Sequence, residues 1–317
     1  MHYIVIVIVL FIFELAYFKI ADRFNIIDKP NHRSSHSSLT LRGGGIIFLI
    51  AMFIACILGY VSLVFTMAVL LVGIVSFIDD IKPLPQLPRF SSHLIAVLLV
   101  LYDLDILSNN LLWLPILLVL AIGWINAFNF MDGINGITVL YSLTSILTFS
   151  YLYIEKPSFN LLMVMGLACL VFGFFNVRKK AKTFAGDVGS ISMAVFLMYF
   201  MIKIIFETGQ IGYLLFFSVY GIDAVITIIY RIKNKENIFL PHRSHLYQYL
   251  ANELKWSHII VSSFYAVIQL IINFSIIFLI KQGYTSVWIF IAGAFLLMVC
   301  YMLIRISAKK KILLQNG

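Results

Sequence analysis

Runs of about twenty apolar residues recur along the whole 317-residue chain, parted only by short polar segments. A run of that length is what a helix needs to cross roughly 30 Å of hydrocarbon. Inside a bilayer, helices and closed barrels alone satisfy their own backbone hydrogen bonds. Runs near 3–20, 46–61, 62–78, 92–107, 111–127, 137–154, 160–176, 190–206, 212–230, 258–280 and 286–305 predict about eleven spans, or ten if 46–78 crosses once. The expected fold class is therefore all-α, a polytopic integral membrane helical bundle. Composition agrees, with 62% hydrophobic and 12% charged residues and a mean hydropathy of +1.01. A soluble domain carries roughly 45–50% apolar and about 25% charged residues, which excludes a water-soluble globule. Ten or eleven spans fill residues 1–317 as one integral-membrane domain, so function is expected in loops near 21–45, 79–90, 126–136, 177–189 and 231–257.

The few charges are sorted by side. One set of loops holds Arg23, Lys29, Arg33, Arg42, Lys82, Arg89, Arg178, Lys179, Lys180, Lys182, Arg231, Lys233, Lys235, Arg243, Lys255 and a tail of Arg305, Lys309, Lys310 and Lys311, whereas the opposite set has only Lys156 and Lys281. The positive-inside rule makes the first set cytoplasmic, with the N-terminus outside and the C-terminus inside. The net charge of +9 thus reads as topology, and nucleic acid is not expected as a partner. Met1-His2-Tyr3 offers no basic leader region, so a retained first helix is expected rather than a cleaved signal. Cys56, Cys169 and Cys300 lie singly in apolar runs and are expected to be buried small hydrophobes. His2, His93 and His258 are expected to be structural.

Five polar constellations fall on the cytoplasmic side. Asp79-Asp80 ends an apolar helix, with Lys82 and Arg89 close behind. Carboxylates at a membrane boundary need water, a partner or a metal, and without further company the pair would be a polar helix end. Asn126, Asn129 and Asp132 recur at three-residue spacing before Gly133 and Gly136; one helix end would bring their hard oxygens together, a donor type that suits Mg2+. An amide-rich cap is the plain alternative. Arg178-Lys179-Lys180 and Lys182 precede Phe184-Ala-Gly186-Asp187-x-Gly189-Ser190 at the start of a span, where a helix N-terminus attracts anions. His242-Arg243-x-His245 offers several donors to a pyrophosphate, and too few neighbours for zinc. Asp28-Lys-Pro-Asn31-His-Arg33-Ser-Ser-His36 leads to Arg42-Gly43-Gly44-Gly45, glycines that permit close approach to a ligand or a helix. Within the spans, Glu14 is expected to snorkel or pair, and Asp223, about two turns before Arg231, to approach the cytoplasmic site.

In this order, from Asp28 to Gln248, the motifs closely resemble the polyprenyl-phosphate N-acetylhexosamine-1-phosphate transferase family, which includes bacterial undecaprenyl-phosphate GlcNAc-1-phosphate transferases and the phospho-N-acetylmuramoyl-pentapeptide transferase. The resemblance is strongest to the branch that starts O-antigen and related glycans. It implies transfer of a sugar 1-phosphate from a UDP-N-acetylhexosamine to undecaprenyl phosphate with Mg2+, or Mn2+ in its place, releasing UMP at the cytoplasmic face of the bacterial inner membrane. On that resemblance Asn129 and Asp187 are metal ligands, and Asp79, Asp80, Asp132, His242 and His245 belong to the catalytic set. Arg42, Arg89, Asn135, Asn176, Phe184 and Arg243 bind substrate, with Phe184 against uracil. A homodimer is compatible with the pattern. Asn135 stands where many bacterial members carry Asp, and Val177 to Lys180 replace a segment that often holds Pro-Ala. The triple-His pattern of the muramoyl-pentapeptide enzymes is missing, which argues against a peptidoglycan precursor as donor. The rival function is a transporter or lipid flippase, which calls for midplane charges and inverted repeats. Here only Glu14, Lys203 and Asp223 fall within or near spans.

Overall fold

The structure is a computed structural model that describes residues 2–28, 39–237 and 242–316. Asn31, Arg33 and His36 of the Asp28 to Gly45 constellation lie outside the described residues. The main helices are α1 (His2–Arg23), α2 (Ile46–Ile57), α3 (Leu63–Ile81), α4 (Gln86–Asp103), α5 (Leu114–Phe130), α6 (Ile137–Leu152), α7 (Ser158–Asn176), α8 (Gly186–Thr208), α9 (Ser218–Lys233), α10 (His258–Lys281) and α11 (Val287–Asn316). Two short antiparallel strands, β1 (Ile27–Asp28) and β2 (Thr40–Leu41), pair before α2. Stretches built on α1, α3, α5, α7, α8, α9, α10 and α11 are long and apolar enough to cross a membrane, while α2 and α6 are shorter apolar helices. The molecule is a polytopic membrane bundle.

The apolar run 46–78 is two helices. Gly59 turns the chain at φ +71°, and the Ser62 hydroxyl accepts the Phe65 N–H at 3.0 Å to cap α3. That cap satisfies one of the donors a helix start leaves open.

At the centre stands α8, buried on nearly all sides and packed against α2, α3, α4, α5 and α6. A helix apolar all round belongs inside a bundle. Gly45 and Gly189 let α2 cross the first turn of α8, for a Cβ on Gly45 would sit 2.2 Å from the Gly189 Cα. By contrast α11 turns Trp288, Phe295, Leu296 and Leu303 outward. Cys300 on it is exposed, contrary to the expected burial, because a lipid-facing helix can present a small apolar side chain outward. Glu14 neither snorkels nor pairs: its carboxyl is fully buried, without a hydrogen-bond partner among the described residues. Mid-helix on α1, facing Gly44, it has too short a stem to reach the interface.

Candidate active site

The start of α8 gathers the acids. The Asp80 carboxylate, at the end of α3, accepts the Asp187 N–H at 2.9 Å and the Val188 N–H at 3.0 Å, capping α8 with the charge its dipole favours. Arg42, just beyond β2, holds Asp80 from the other side, Nε to Oδ1 2.7 Å, and reaches Asp187 at 3.6 Å. Arg89 near the start of α4 pairs with Asp79 at 3.2 Å and with Asp187 at 3.4 Å. The result is a chain of alternating charge, Asp80, Arg42, Asp187, Arg89, Asp79, built from four separate elements. Burial works against the charge on Arg42, yet Asp80, Asp187 and Asp28 raise its pKa above the usual value.

Asp79 and Asp80 are not a like pair. Asp80 is spent on the helix cap and Arg42, whereas Asp79 accepts the Leu84 N–H at 2.6 Å and faces Arg89. Nor do Asn126, Asn129 and Asp132 converge. Asn126 donates back to the Ile122 carbonyl at 2.8 Å, the local bond a short amide makes within a helix. Asn129 alone reaches the cluster, donating to Asp187 at 3.1 Å and Ser190 at 2.9 Å. Because α5 stops at Phe130, Asp132 lies past the helix end and accepts the Thr138 hydroxyl.

Burial pushes the Asp132 carboxyl up to about 7, against the Thr138 hydrogen bond and with Asp187 adding to the rise. The fold therefore favours its neutral form. The stability this gives is complete below the ordinary value of 3.8 and is lost as pH rises through about 7. In thermal melts without divalent cations, the parent protein should lose more stability between pH 5 and pH 8 than Asp132→Asn; equal losses would show that the group is not protonated.

The remaining amides tie loops together. Asn176 accepts the Gly136 N–H at 2.8 Å and donates to the Thr183 carbonyl at 2.9 Å, so both ends of its side chain are engaged by backbone. Asn135 donates to the carbonyls of Arg178 and Lys179 at 2.8 and 3.3 Å, docking the cationic loop on the 131–136 turn. The Phe184 ring is half-buried. Its backbone is zipped to the glycine segment: its N–H donates to the Leu41 carbonyl at 2.8 Å, and its carbonyl accepts the Gly44 N–H at 2.9 Å.

The His242–His245 segment approaches from the other side of α5. Tyr247 donates to the Phe130 carbonyl at 3.0 Å and lies over Gly133, where a Cβ would meet its hydroxyl oxygen at 2.1 Å. The rings of His242 and His245 lie 4.9 Å apart, tilted by 34°, and 6.5 and 6.4 Å from that of Phe130. Burial, with the charges of His245 and Arg231, lowers His242 to about 4, so it is neutral at physiological pH. Arg243 beside them is half-buried. Asp223, expected to approach this site, lies against the histidine segment. Its carboxylate accepts from His245 Nδ1 at 3.0 Å and the Leu246 N–H at 3.2 Å.

Among the described residues no three His, Cys, Asp or Glu side chains form a ready-made metal cage. Mg2+ does not require one, since it keeps waters and is bound through one or two carboxylates plus substrate phosphates. Asp187, with the amide of Asn129 beside it, is an oxygen donor set of that kind.

The model described as Glycosyl transferase family 4 matches residues 62–205. That stretch contains Asp79, Asp80, Arg89, Asn129, Asp132, Asn135, Asn176, Phe184 and Asp187 and leaves out Arg42 and the histidine segment. A probable undecaprenyl-phosphate N-acetylglucosaminyl 1-phosphate transferase of Bacillus subtilis (strain 168) is 25% identical over 260 residues, 73% of this chain and 71% of that protein. The phospho-N-acetylmuramoyl-pentapeptide-transferase of Streptococcus uberis is 29% identical over 154 residues, 41% of this chain and 45% of that protein. One from Streptococcus suis (strain 05ZYH33) is 35% identical over 86 residues, 26% of each chain. The chain spans less than half the length of these Streptococcus relatives. The matched region is also the one that builds the charged centre around α8, and over residues 62–205 the chain is similar to glycosyl transferase family 4.

Proposed function

We propose that this protein transfers an N-acetylhexosamine 1-phosphate from a UDP-sugar to undecaprenyl phosphate at the cytoplasmic face of the bacterial inner membrane, releasing UMP and opening the synthesis of O-antigen or another cell-envelope glycan. The observation that carries the reading is the alternating chain of Asp80, Arg42, Asp187, Arg89 and Asp79 at the N-terminus of α8. Two arginines shared among three carboxylates can turn toward phosphate oxygens and remain neutralised, while Asp80 keeps the helix start in place.

The step displaces UMP. An oxygen of the lipid phosphate attacks the β-phosphorus of the donor, the bond from that phosphorus to the oxygen bridging it to UMP breaks, and the leaving phosphate takes the electron pair. The lipid phosphate is largely ionised at neutral pH, so a strong base is not required, and the main demands are alignment and charge neutralisation. Asp187 and Asn129 would hold Mg2+, whose chemistry is to neutralise the diphosphate. Arg42 and Arg89 grip phosphate, and Asp79 orients Arg89 and the incoming lipid phosphate. The Phe184 ring stacks on uracil, with Asn135 beside the uridine. His242, Arg243 and His245 contact the pyrophosphate and sugar, and Asp132 adds a carboxyl whose charge changes near neutral pH. Asn176 acts by fixing the 136 and 183 backbones. Residues 1–317 work as one membrane domain with the N-terminus outside.

The test is UMP release from a panel of UDP-sugars, with undecaprenyl phosphate and Mg2+, by membranes containing the protein. UMP that depends on the lipid phosphate and on one N-acetylhexosamine donor is expected. No UMP from any donor, or UMP formed equally well without the lipid, would overturn the proposal.

A further inference from the structure

The helix α11 buries one cation of the basic tail, Arg305. Arg305 lies on α11, a helix otherwise turned largely to lipid, yet it is 1% exposed. Burying a guanidinium is costly unless its donors are met. Nη1 donates to the Thr227 hydroxyl at 3.1 Å and to Tyr301 Oη at 2.8 Å, and Nη2 donates to the Ser244 carbonyl at 2.7 Å. The guanidinium carbon lies 5.0 and 5.2 Å from the ring centroids of Tyr230 and Tyr249. Ser244 directly precedes His245. Tyr301 passes the connection on, donating to Asp223 Oδ1 at 3.0 Å, the oxygen that accepts His245 Nδ1 at the same distance. Thr227 donates to that oxygen at 3.2 Å, and Tyr265 donates to Oδ2 at 2.6 Å.

These contacts fix more than a loop position. Asp223 takes donors on both oxygens, so it is held as an acceptor, and the Nδ1 of His245 must carry the hydrogen between them. The other ring nitrogen, Nε2, is buried and has no hydrogen-bond partner among the described residues. Its ring lies against His242 and Phe130, next to the residue that reaches Asp187. A buried imidazole nitrogen left without a partner calls for one.

We propose that Asp223, Tyr301 and Arg305 are positioning residues that hold His245 with its hydrogen on Nδ1 and keep Nε2 ready to accept a hydrogen bond from a hydroxyl of the substrate's sugar, which makes α11 a working part of the site. The substrate half of this statement rests on the transferase reading, and the tautomer half does not. An arginine and a tyrosine one helical turn apart on α11 clamp the histidine through Asp223 below and the Ser244 carbonyl above. The same orienting logic operates where a carboxylate sets the ring of a catalytic or metal-bound histidine.

The experiment uses the full-length protein in detergent, with nitrogen-15 histidine NMR and steady-state kinetics on the parent, Asp223→Asn, His245→Gln, the double variant and Tyr301→Phe. His245 should show a protonated Nδ1 in the parent and a mixture of tautomers in Asp223→Asn, with or without enzymatic activity. Asp223→Asn should lower kcat about 10- to 100-fold with the donor KM little changed. Because Asp223 acts through His245, adding Asp223→Asn to His245→Gln should cost nothing more. Tyr301→Phe, which removes a single hydroxyl, is the milder variant should Asp223→Asn fail to fold, and it should shift the tautomer balance in the same direction. A parent His245 protonated on Nε2, or losses that multiply in the double variant, would overturn the proposal. A correct tautomer in a protein that releases no UMP would instead overturn the transferase reading.

Discussion

Asp187→Ala is expected to lower kcat for UMP release by about 10³-fold or more while the protein stays folded. Among the described residues Asp187 is the one carboxylate that touches Arg42, Arg89 and Asn129 together, so its loss removes the proposed metal ligand and unlinks the two arginines. Folding should survive, because the cap that starts α8 runs from the Asp80 carboxylate to the backbone N–H groups of residues 187 and 188, which alanine keeps. The check is UMP release beside a thermal melt. An unchanged melting temperature with full activity would remove Asp187 from the site.

Gly45→Ala is expected to disable the protein by a different route. Its added Cβ would lie 2.2 Å from the Gly189 Cα and 2.7 Å from the Ala185 carbonyl oxygen. Those are backbone atoms that cannot swing aside, so α2 and the start of α8 must separate, at a cost on the order of 1–3 kcal/mol. The displacement would carry the segment bearing Arg42 away from Asp80 and Asp187, and activity should fall at least as far as stability. Gly123→Ala is the control. Nothing lies within 4 Å of its Cβ, and a helical glycine exchanged for alanine gains roughly 0.5–1 kcal/mol. If Gly45→Ala melts like the parent and keeps its activity, the close crossing is not a constraint.

These two residues also show what the chain discloses before it folds. The acids, the glycines and the Phe184 to Ser190 segment are conspicuous against an apolar background, because a polar group at a membrane boundary must have a use. The structure gathers Arg42, Asp79, Asp80, Arg89, Asn129 and Asp187 at one helix start. Which side chain spends itself on which partner is another matter. Asp80 caps a helix that lies more than a hundred residues away in sequence, and Asn176 is consumed by two backbone groups from separate loops. Neither bond leaves a local pattern. Arg305 is the clearest case. Beside Lys309, Lys310 and Lys311 it reads as another cation of an inner tail, and only the packing of α11 on α9 reveals that it is buried against the histidine segment. Helical periodicity marks the apolar spans, but it is silent about a charged residue that one helix turns inward toward a partner on another.

The most direct measurement follows the β-phosphorus of the donor. Purified protein is given undecaprenyl phosphate, Mg2+ and the UDP-N-acetylhexosamine that supports UMP release, with phosphorus-32 in the β position. The account predicts that the label moves into the lipid fraction together with the sugar while unlabelled UMP appears in the water phase. Label retained in UDP while the sugar alone passes to the lipid, or label that never leaves the donor, would contradict it.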